Sequence, residues 1–174
     1  NALYVMNSVD IGDWYLLAGV RYESTSFEAD GVRYDDASGE WSANRSDKKD
    51  DYLLPGLHAR YRLDSDTLVR AAFTQSVVRP SFEQLAPYVY LEDDGGDLKA
   101  EFGNPDLDPL ESSNLDLGIE RYMGRLGLMS AYLFYKDIKN YTYATDLAGT
   151  GDWAAYDEAA TFANGDDASI YGLE

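Results

Sequence analysis

The chain has 174 residues, the length of one domain, and contains no cysteine, which excludes a disulfide scaffold, a thiolate metal site and a cysteine nucleophile. Its net charge of −18 excludes a nucleic acid as the partner, because a strongly acidic surface repels the phosphate backbone. Residues 26–50, 91–113 and 139–167 together hold 21 of the 32 acidic residues but only 6 of the 14 basic ones. Most of the negative charge therefore lies in three stretches that we predict to be loops.

Seven strands are predicted in chain order, joined alternately by short and long connections. Alternation of apolar and polar residues places them at 2–9, 14–25, 52–63, 67–77, 114–122, 126–138 and from about 169. The long connections should be turns and irregular chain, with no helix of consequence. Since antiparallel neighbours reverse direction at each connection, every tight turn should lie at one edge of the sheet and every long loop at the other. The last seven residues read as a strand cut off at its beginning, so we expect residues 1–174 to be a fragment of a longer chain.

Four of the predicted strands have one apolar and one charged face. The residues expected on the apolar face are Leu16, Val20, Leu57, Tyr61, Val69, Phe73, Leu117 and Ile119, and those expected on the charged face are Arg21, Arg60, Arg70, Asp116 and Glu120. The first and sixth strands carry apolar residues on both faces, so their orientation stays open. A lipid-facing barrel wall with a wet lumen shows this pattern, and so does a soluble sandwich whose apolar face is its core. The loop asymmetry and strand lengths of about nine to twelve residues favour the membrane.

Several short segments in series resemble the later part of the barrel domain of TonB-dependent outer-membrane receptors. They include YLLAGVRYE at 15–23, VVRPSF at 77–82, FGNPDL at 102–107, FYKDI at 134–138 and IYGLE at 170–174. The resemblance covers nearly the whole chain. It implies an all-β fold in which an up-and-down antiparallel sheet forms part of a transmembrane β-barrel.

Such receptors are barrels of about 22 strands in the outer membrane of Gram-negative bacteria, closed by an N-terminal plug. They take up scarce ligands such as siderophores, vitamin B12 or oligosaccharides, with energy from the TonB complex. By resemblance, residues 1–174 are one part of a transport barrel in contact with outer-membrane lipid, and not an enzyme. The plug, the segment that contacts TonB and the closing strands are expected to lie outside these residues.

The loop between the fourth and fifth strands, residues 79–114, carries the predicted ligand site. Phe82, Leu85, Phe102 and Leu107 are too apolar to remain in water, so we expect them to pin the loop against the barrel mouth. Hydrogen-bonding groups and aromatic faces would then line the vestibule, from Arg79, Gln84, Tyr88, Tyr90, Asn104 and Asp106. The alternative is that residues 103–109 form a structural turn that only sets the register of the next strand.

No catalytic, metal or cofactor site is predicted. The only histidine, His58, lies on the charged face of a strand, and no nucleophile elbow is present. The acidic cluster at 93–97 lacks the spacing of a calcium-binding loop. Acidic loops would repel an anionic ferric siderophore and aromatic loops suit sugars, which favours an oligosaccharide over a siderophore as ligand. The alternative function is a soluble secreted β-sandwich that binds carbohydrate.

Overall fold

One sheet of eleven strands contains most of the chain in the computed structural model, which describes residues 1–174. Two short 3-10 turns, Gly124–Leu126 and Gly151–Trp153, and one helix of a single turn, α1 (Phe82–Leu85), are the remaining regular elements. No helix is long and apolar enough to span a membrane. The strands are β1 (Ala2–Ile11), β2 (Trp14–Asp35), β3 (Glu40–Arg62), β4 (Thr67–Val78), β5 (Val89–Asp94), β6 (Asp97–Phe102), β7 (Leu110–Tyr122), β8 (Leu128–Lys139), β9 (Thr142–Asp146), β10 (Glu158–Asn164) and β11 (Ala168–Leu173).

Seven of these strands form a continuous wall in the order β1, β2, β3, β4, β7, β8, β11. Every neighbouring pair in this wall is antiparallel. The seven strands correspond to the seven predicted ones, and the short connections all lie at the same edge of the wall. The wall has no second layer packed against it, so the sandwich alternative is wrong.

The segment 26–50, predicted to be an acidic loop, is instead the outer half of a long hairpin. β2 and β3 pair without interruption from Trp14–Tyr61 to Asp35–Glu40. Their turn contains Gly39 at a φ of +67°, a conformation that favours glycine. The Ser38 amide donates to the Asp35 carboxylate at 3.2 Å. We call residues 26–50 the distal hairpin.

The other two long connections also contain strands, where irregular chain was predicted. β5 and β6 form one hairpin and β9 and β10 another. β5 pairs in parallel with the end of β2, and β6 pairs in parallel with β10. The sheet therefore departs from a purely antiparallel arrangement at these two pairs. We call β5, β6, β10 and β9 together the loop sheet.

The strand register confirms the predicted faces of the wall. Directly paired residues share a face, and the pairs Leu57–Phe73 and Leu117–Leu133 carry the apolar face across four strands, with Arg60–Arg70 on the opposite side. The same register orients the two ambiguous strands. Leu3, Val5 and Val9 of β1 and Leu133 and Tyr135 of β8 share the apolar face, while Tyr132 and Phe134 share the charged face.

The buried apolar residues lie in the loops and not on the wall. They are Leu85, Leu91, Ala100, Leu107 and Ala159. On the apolar face of the wall, Leu3 is 75% exposed and Leu53 66% exposed. A soluble protein does not leave such a continuous apolar surface uncovered, whereas the wall of a membrane barrel presents it to lipid.

Candidate functional site

Arg79 ties the start of the 79–114 loop to the wall. Its guanidinium pairs with Glu23 of β2 at 3.0 Å and lies 6.0 Å from the centre of the Tyr52 ring. Glu23 also accepts from Arg21 at 2.6 Å, so one carboxylate joins two arginines on the charged face. The Arg79 Nε is buried and has no hydrogen-bond partner. Because Arg79 pairs with Glu23 on the charged face, the loop turns inward over that face as it leaves β4.

The loop then crosses the charged face of the distal hairpin. Ser81 and Gln84 cap α1 reciprocally: the Gln84 amide donates to the Ser81 hydroxyl, and the Ser81 amide donates to the Gln84 side chain at 2.8 Å. Beyond α1, Pro87 lies directly on Gly31, where any side chain would collide with the Pro87 carbonyl. The missing side chain at Gly31 is what lets the loop reach the far edge of β2.

Three of the four residues predicted to anchor the loop do pack in the structure. Leu107 is 1% exposed and Leu85 9% exposed, and Phe102 stacks on Trp153 at 4.4 Å between ring centres. Phe82 is wrong as an anchor, because it is 80% exposed and its ring lies 6.0 Å from that of Phe27. As the first residue of α1 it points away from the packed side of the loop.

One face of the loop sheet packs a small core. Leu91, Ala100 and Ala159 are buried there against Phe102, Trp153 and other partly buried residues. The Asp146 carboxylate accepts from the Ala148 and Ala159 amides at 2.9 and 2.8 Å, and these bonds lower its pKa below the usual value. The loop from β4 and the loop from β8 are thus one folded unit.

Residues 103–109 are held from two sides, by β10 and by the distal hairpin. Asn104 donates to the Phe162 carbonyl at 2.8 Å and accepts from the Asp106 amide at 3.0 Å. Lys48 of the distal hairpin donates to the Leu107 carbonyl at 2.7 Å, the Asp106 carbonyl at 3.3 Å and the Asp108 carboxylate at 3.0 Å. This segment is a turn fixed by hydrogen bonds, and whether it also contacts a ligand stays a prediction. The Asp106 side chain itself remains exposed.

Tyr88 and Tyr90 lie on the opposite face of the loop sheet from its core. Tyr88 donates to Glu101 at 3.1 Å, and burial together with this bond raises its pKa to about 12. Tyr90 pairs with Tyr34 in the register, and their rings stack at 5.7 Å. Trp41 extends the stack, 4.4 Å from Tyr34, and is 68% exposed. The rings of Trp41, Tyr34 and Tyr90 therefore form one aromatic stack on the outer face of the hairpin tip.

The structure does not gather the six predicted site residues in one place. Arg79 lies on the charged face, Gln84 and Asn104 form bonds that shape the loop, and Tyr88 and Tyr90 lie on the outer face. Asp106 stands apart on the exposed side of its turn. Whether any of them contacts a ligand stays a prediction. No group of three or more histidine or acidic side chains could hold a metal ion.

The whole chain, residues 1–174, matches the model of one protein family, described as TonB dependent receptor-like, beta-barrel. The chain belongs to this family. It is thus part of a β-barrel of the Gram-negative outer membrane, with the apolar face of the wall toward lipid and the charged face toward the lumen. No curated protein matches the sequence significantly.

Solved structures of TonB-dependent receptors have the same fold. The ferric enterobactin receptor PfeA of Pseudomonas aeruginosa aligns with a TM-score of 0.69 at 21% identity, over 99% of this chain and 23% of that one. The hemophore receptor HasR of Serratia marcescens aligns with a TM-score of 0.66 at 15% identity, over 99% and 30%. The ferric-catecholate receptor Fiu of E. coli gives 0.65 at 18% identity, over 99% and 24%. The chain spans between about a quarter and a third of these receptors.

Besides the loop sheet, two features of this receptor barrel were missed by sequence reasoning. One is the distal hairpin, whose turn signal at residues 35–39 (Asp-Asp-Ala-Ser-Gly) was present in the sequence. The other is a hollow of about 460 Å³ on the lumen side, formed where Gly19 and Gly56 pair directly and edged by Arg21 and Glu23. No sequence signal marks this hollow, because it depends on which glycines become neighbours across strands.

Proposed function

We propose that residues 1–174 form the ligand-receiving wall of a TonB-dependent transporter that takes up a scarce small molecule with energy from the TonB complex. The observation that carries this proposal is the loop folded across the lumen side of the wall and fixed there by Arg79 and Lys48. A ligand that enters from outside meets an ordered surface rather than a mobile loop. Ordered surfaces bind with a smaller entropic cost.

The charge of the loops selects the class of ligand. The three acidic segments carry −15 of the net −18 and lie at the outer edge of the wall or beyond it. Such a field slows the approach of anions and does not hinder neutral or cationic ligands. Ferric trihydroxamates are neutral, whereas ferric tris-catecholates are trianionic. The similar solved structures include siderophore receptors, among them receptors for enterobactin and for ferric catecholates. The charge of the loops in this chain favours the neutral members of that class, so our first candidate is a neutral ferric siderophore.

A neutral oligosaccharide is the second candidate, and a separate observation favours it. The stack of Trp41, Tyr34 and Tyr90 presents an exposed indole ring at the tip of the distal hairpin. Aromatic faces bind the apolar faces of sugar rings. Among the six predicted residues, Tyr90 and Asp106 are the most exposed, and Arg79 faces the lumen beside Glu23. Tyr90 lies on the outer face of the hairpin tip, so we assign it to first contact with a ligand outside the lumen.

The test uses the full-length receptor purified in detergent. Binding of a ferric trihydroxamate, a ferric tris-catecholate and a neutral oligosaccharide is followed by quenching of tryptophan fluorescence at low and high salt. We expect one of the two neutral ligands to bind at both salt concentrations. Preferred binding of the tris-catecholate at low salt would contradict the proposal that the acidic loops disfavour anionic ligands. Uptake into cells that does not require TonB would contradict the proposal that the protein is a TonB-dependent transporter.

A further inference from the structure

Two arginines face each other across neighbouring strands on the lumen side of the wall. Arg60 of β3 pairs directly with Arg70 of β4. Like charges at directly opposed positions destabilise a sheet unless a negative charge offsets them. The pair therefore marks a place where the wall is suited to an anion.

Only one of the two arginines has an acidic partner. Arg70 donates through Nε to Glu120 at 2.8 Å, and Glu120 also accepts from the hydroxyls of Tyr132 and Tyr122. This carboxylate is 9% exposed and surrounded by its donors. It forms no ion pair with Arg60.

Arg60 forms no ion pair and no side-chain hydrogen bond; its guanidinium lies 4.9 Å from the centre of the Tyr15 ring. A guanidinium that stacks on an aromatic ring keeps its N–H groups free at its edge. Those N–H groups match the two oxygens of a carboxylate, which arginine binds with two parallel hydrogen bonds. Tyr15 thus positions Arg60 without using its donors.

The two arginines open onto a depression of about 280 Å³ on the lumen side. Its lining includes Ala72, whose small side chain leaves room between the larger ones, whereas the space above Gly118 is filled by the ring of Tyr132. Asp116 lines another part of the depression and forms no ion pair. Because Asp116 repels a second negative charge, the depression suits one carboxylate, attached to a group that can donate a hydrogen bond to Asp116.

We propose that this depression is a binding site for a single carboxylate group, held by Arg60 and completed by the free N–H groups of Arg70. The carboxylate has two sources: an acidic side chain of another segment of the same receptor, or a carboxylate of a molecule passing through the lumen. The site does not depend on which ligand the extracellular loops accept.

The experiment measures how fast phenylglyoxal modifies individual arginines of the full-length receptor, by mass spectrometry of the digested protein. Arg62 is the internal control, since it lies two residues away on the same face of β3, carries no ion pair and does not line the depression. Acetate is the probe and acetamide its neutral counterpart, at constant ionic strength. Because both arginines are read in the same sample, no variant has to fold.

We expect Arg60 to react about tenfold more slowly than Arg62 when the site is filled, as binding worth about 1.4 kcal/mol would give. Arg60 is half-buried and Arg62 exposed, so slow reaction of Arg60 without acetate identifies a carboxylate of the receptor itself only if high salt accelerates it and leaves the Arg62 rate unchanged. Protection that appears with acetate, and not with acetamide, identifies a free anion. Equal reactivity of Arg60 and Arg62 under all conditions, or equal protection of both, would overturn the proposal.

Discussion

Gly31 of the distal hairpin lies so close to Pro87 of the 79–114 loop that the Pro87 carbonyl occupies the space of a side chain at position 31. This contact decides where the loop crosses the wall, because every other residue would hold the two backbones apart. The loop needs this crossing to reach the far edge of β2, where β5 pairs with it.

The first prediction follows from that contact. Gly31→Ala should displace the loop and destabilise it by about 1–3 kcal/mol, the usual cost of overpacking. Limited proteolysis of the full-length receptor measures the displacement as faster cleavage between residues 79 and 110. Gly56→Ala is the matched control, since its new methyl group would meet only Thr74, at 4.0 Å. Equal protease resistance of both variants would show that the crossing is not tight.

The second prediction compares Leu107, which is buried and anchors the loop, with Phe82, which was predicted to anchor it but is exposed. Leu107→Ala should destabilise the loop by about 2–5 kcal/mol, because the buried side chain leaves a cavity. Phe82→Ala should change stability by less than about 0.5 kcal/mol, since the ring is exposed. Hydrogen exchange of the loop amides in the full-length receptor measures both effects. A larger effect at Phe82 than at Leu107 would restore the anchor that the sequence suggested.

The third prediction concerns the lysine that joins the distal hairpin to the 103–109 turn. Lys48→Met should weaken this attachment by about 2 kcal/mol, because hydrogen bonds from a charged donor are lost. Lys49→Met removes the same charge but only an exposed pair with Asp51 at 3.4 Å, so its effect should be close to zero. Thermal melting followed by loop proteolysis compares the two. Similar losses in both variants would assign the effect to net charge and not to the contacts of Lys48.

The fourth prediction is a dependence on pH at the loop core. The pKa of Asp146 in the folded protein lies below its ordinary value of 3.8, because two backbone amides donate to the carboxylate. A depressed pKa contributes stability above the unfolded-state value, and this contribution is lost as the pH falls through the folded value. Fluorescence of Trp153 should therefore report loosening of the loop on acidification below about pH 4. Asp146→Asn should remove that part of the pH dependence, and an unchanged profile would contradict it.

The fifth prediction tests the proposed ligand contacts. In the full-length receptor, Tyr90→Ala should lower affinity about threefold to tenfold, as the loss of one aromatic contact does. Asp106→Ala should lower affinity without a loss of stability, because its carboxylate has no partner in the loop. Tyr88→Ala should instead loosen the loop, because its hydroxyl is bonded to Glu101. Ligand binding is measured beside surface expression, and unchanged binding in all three variants would leave the loop as a structural brace.

The local pattern of the sequence determined the faces of the wall and the order of its strands. Alternation in strands such as 52–63 and 67–77 fixes which residues share a face, because side chains in a strand point alternately to its two sides. Short turns such as 64–66 fix which strands are neighbours. Both are relations between residues close in the chain, and for that reason they could be predicted.

The fold of the loops and the positions of the candidate site residues could be learned only from the tertiary structure. The pairing of β6 with β10 joins residues about 60 positions apart, the Arg79–Glu23 bond joins residues 56 apart, and the exposure of Phe82 depends on what surrounds α1. Such contacts form between side chains whose separation in the chain carries no periodic signal. The sequence therefore determined the two faces and the order of the wall, whereas long-range packing determined which of its polar residues are structural and which remain free to bind.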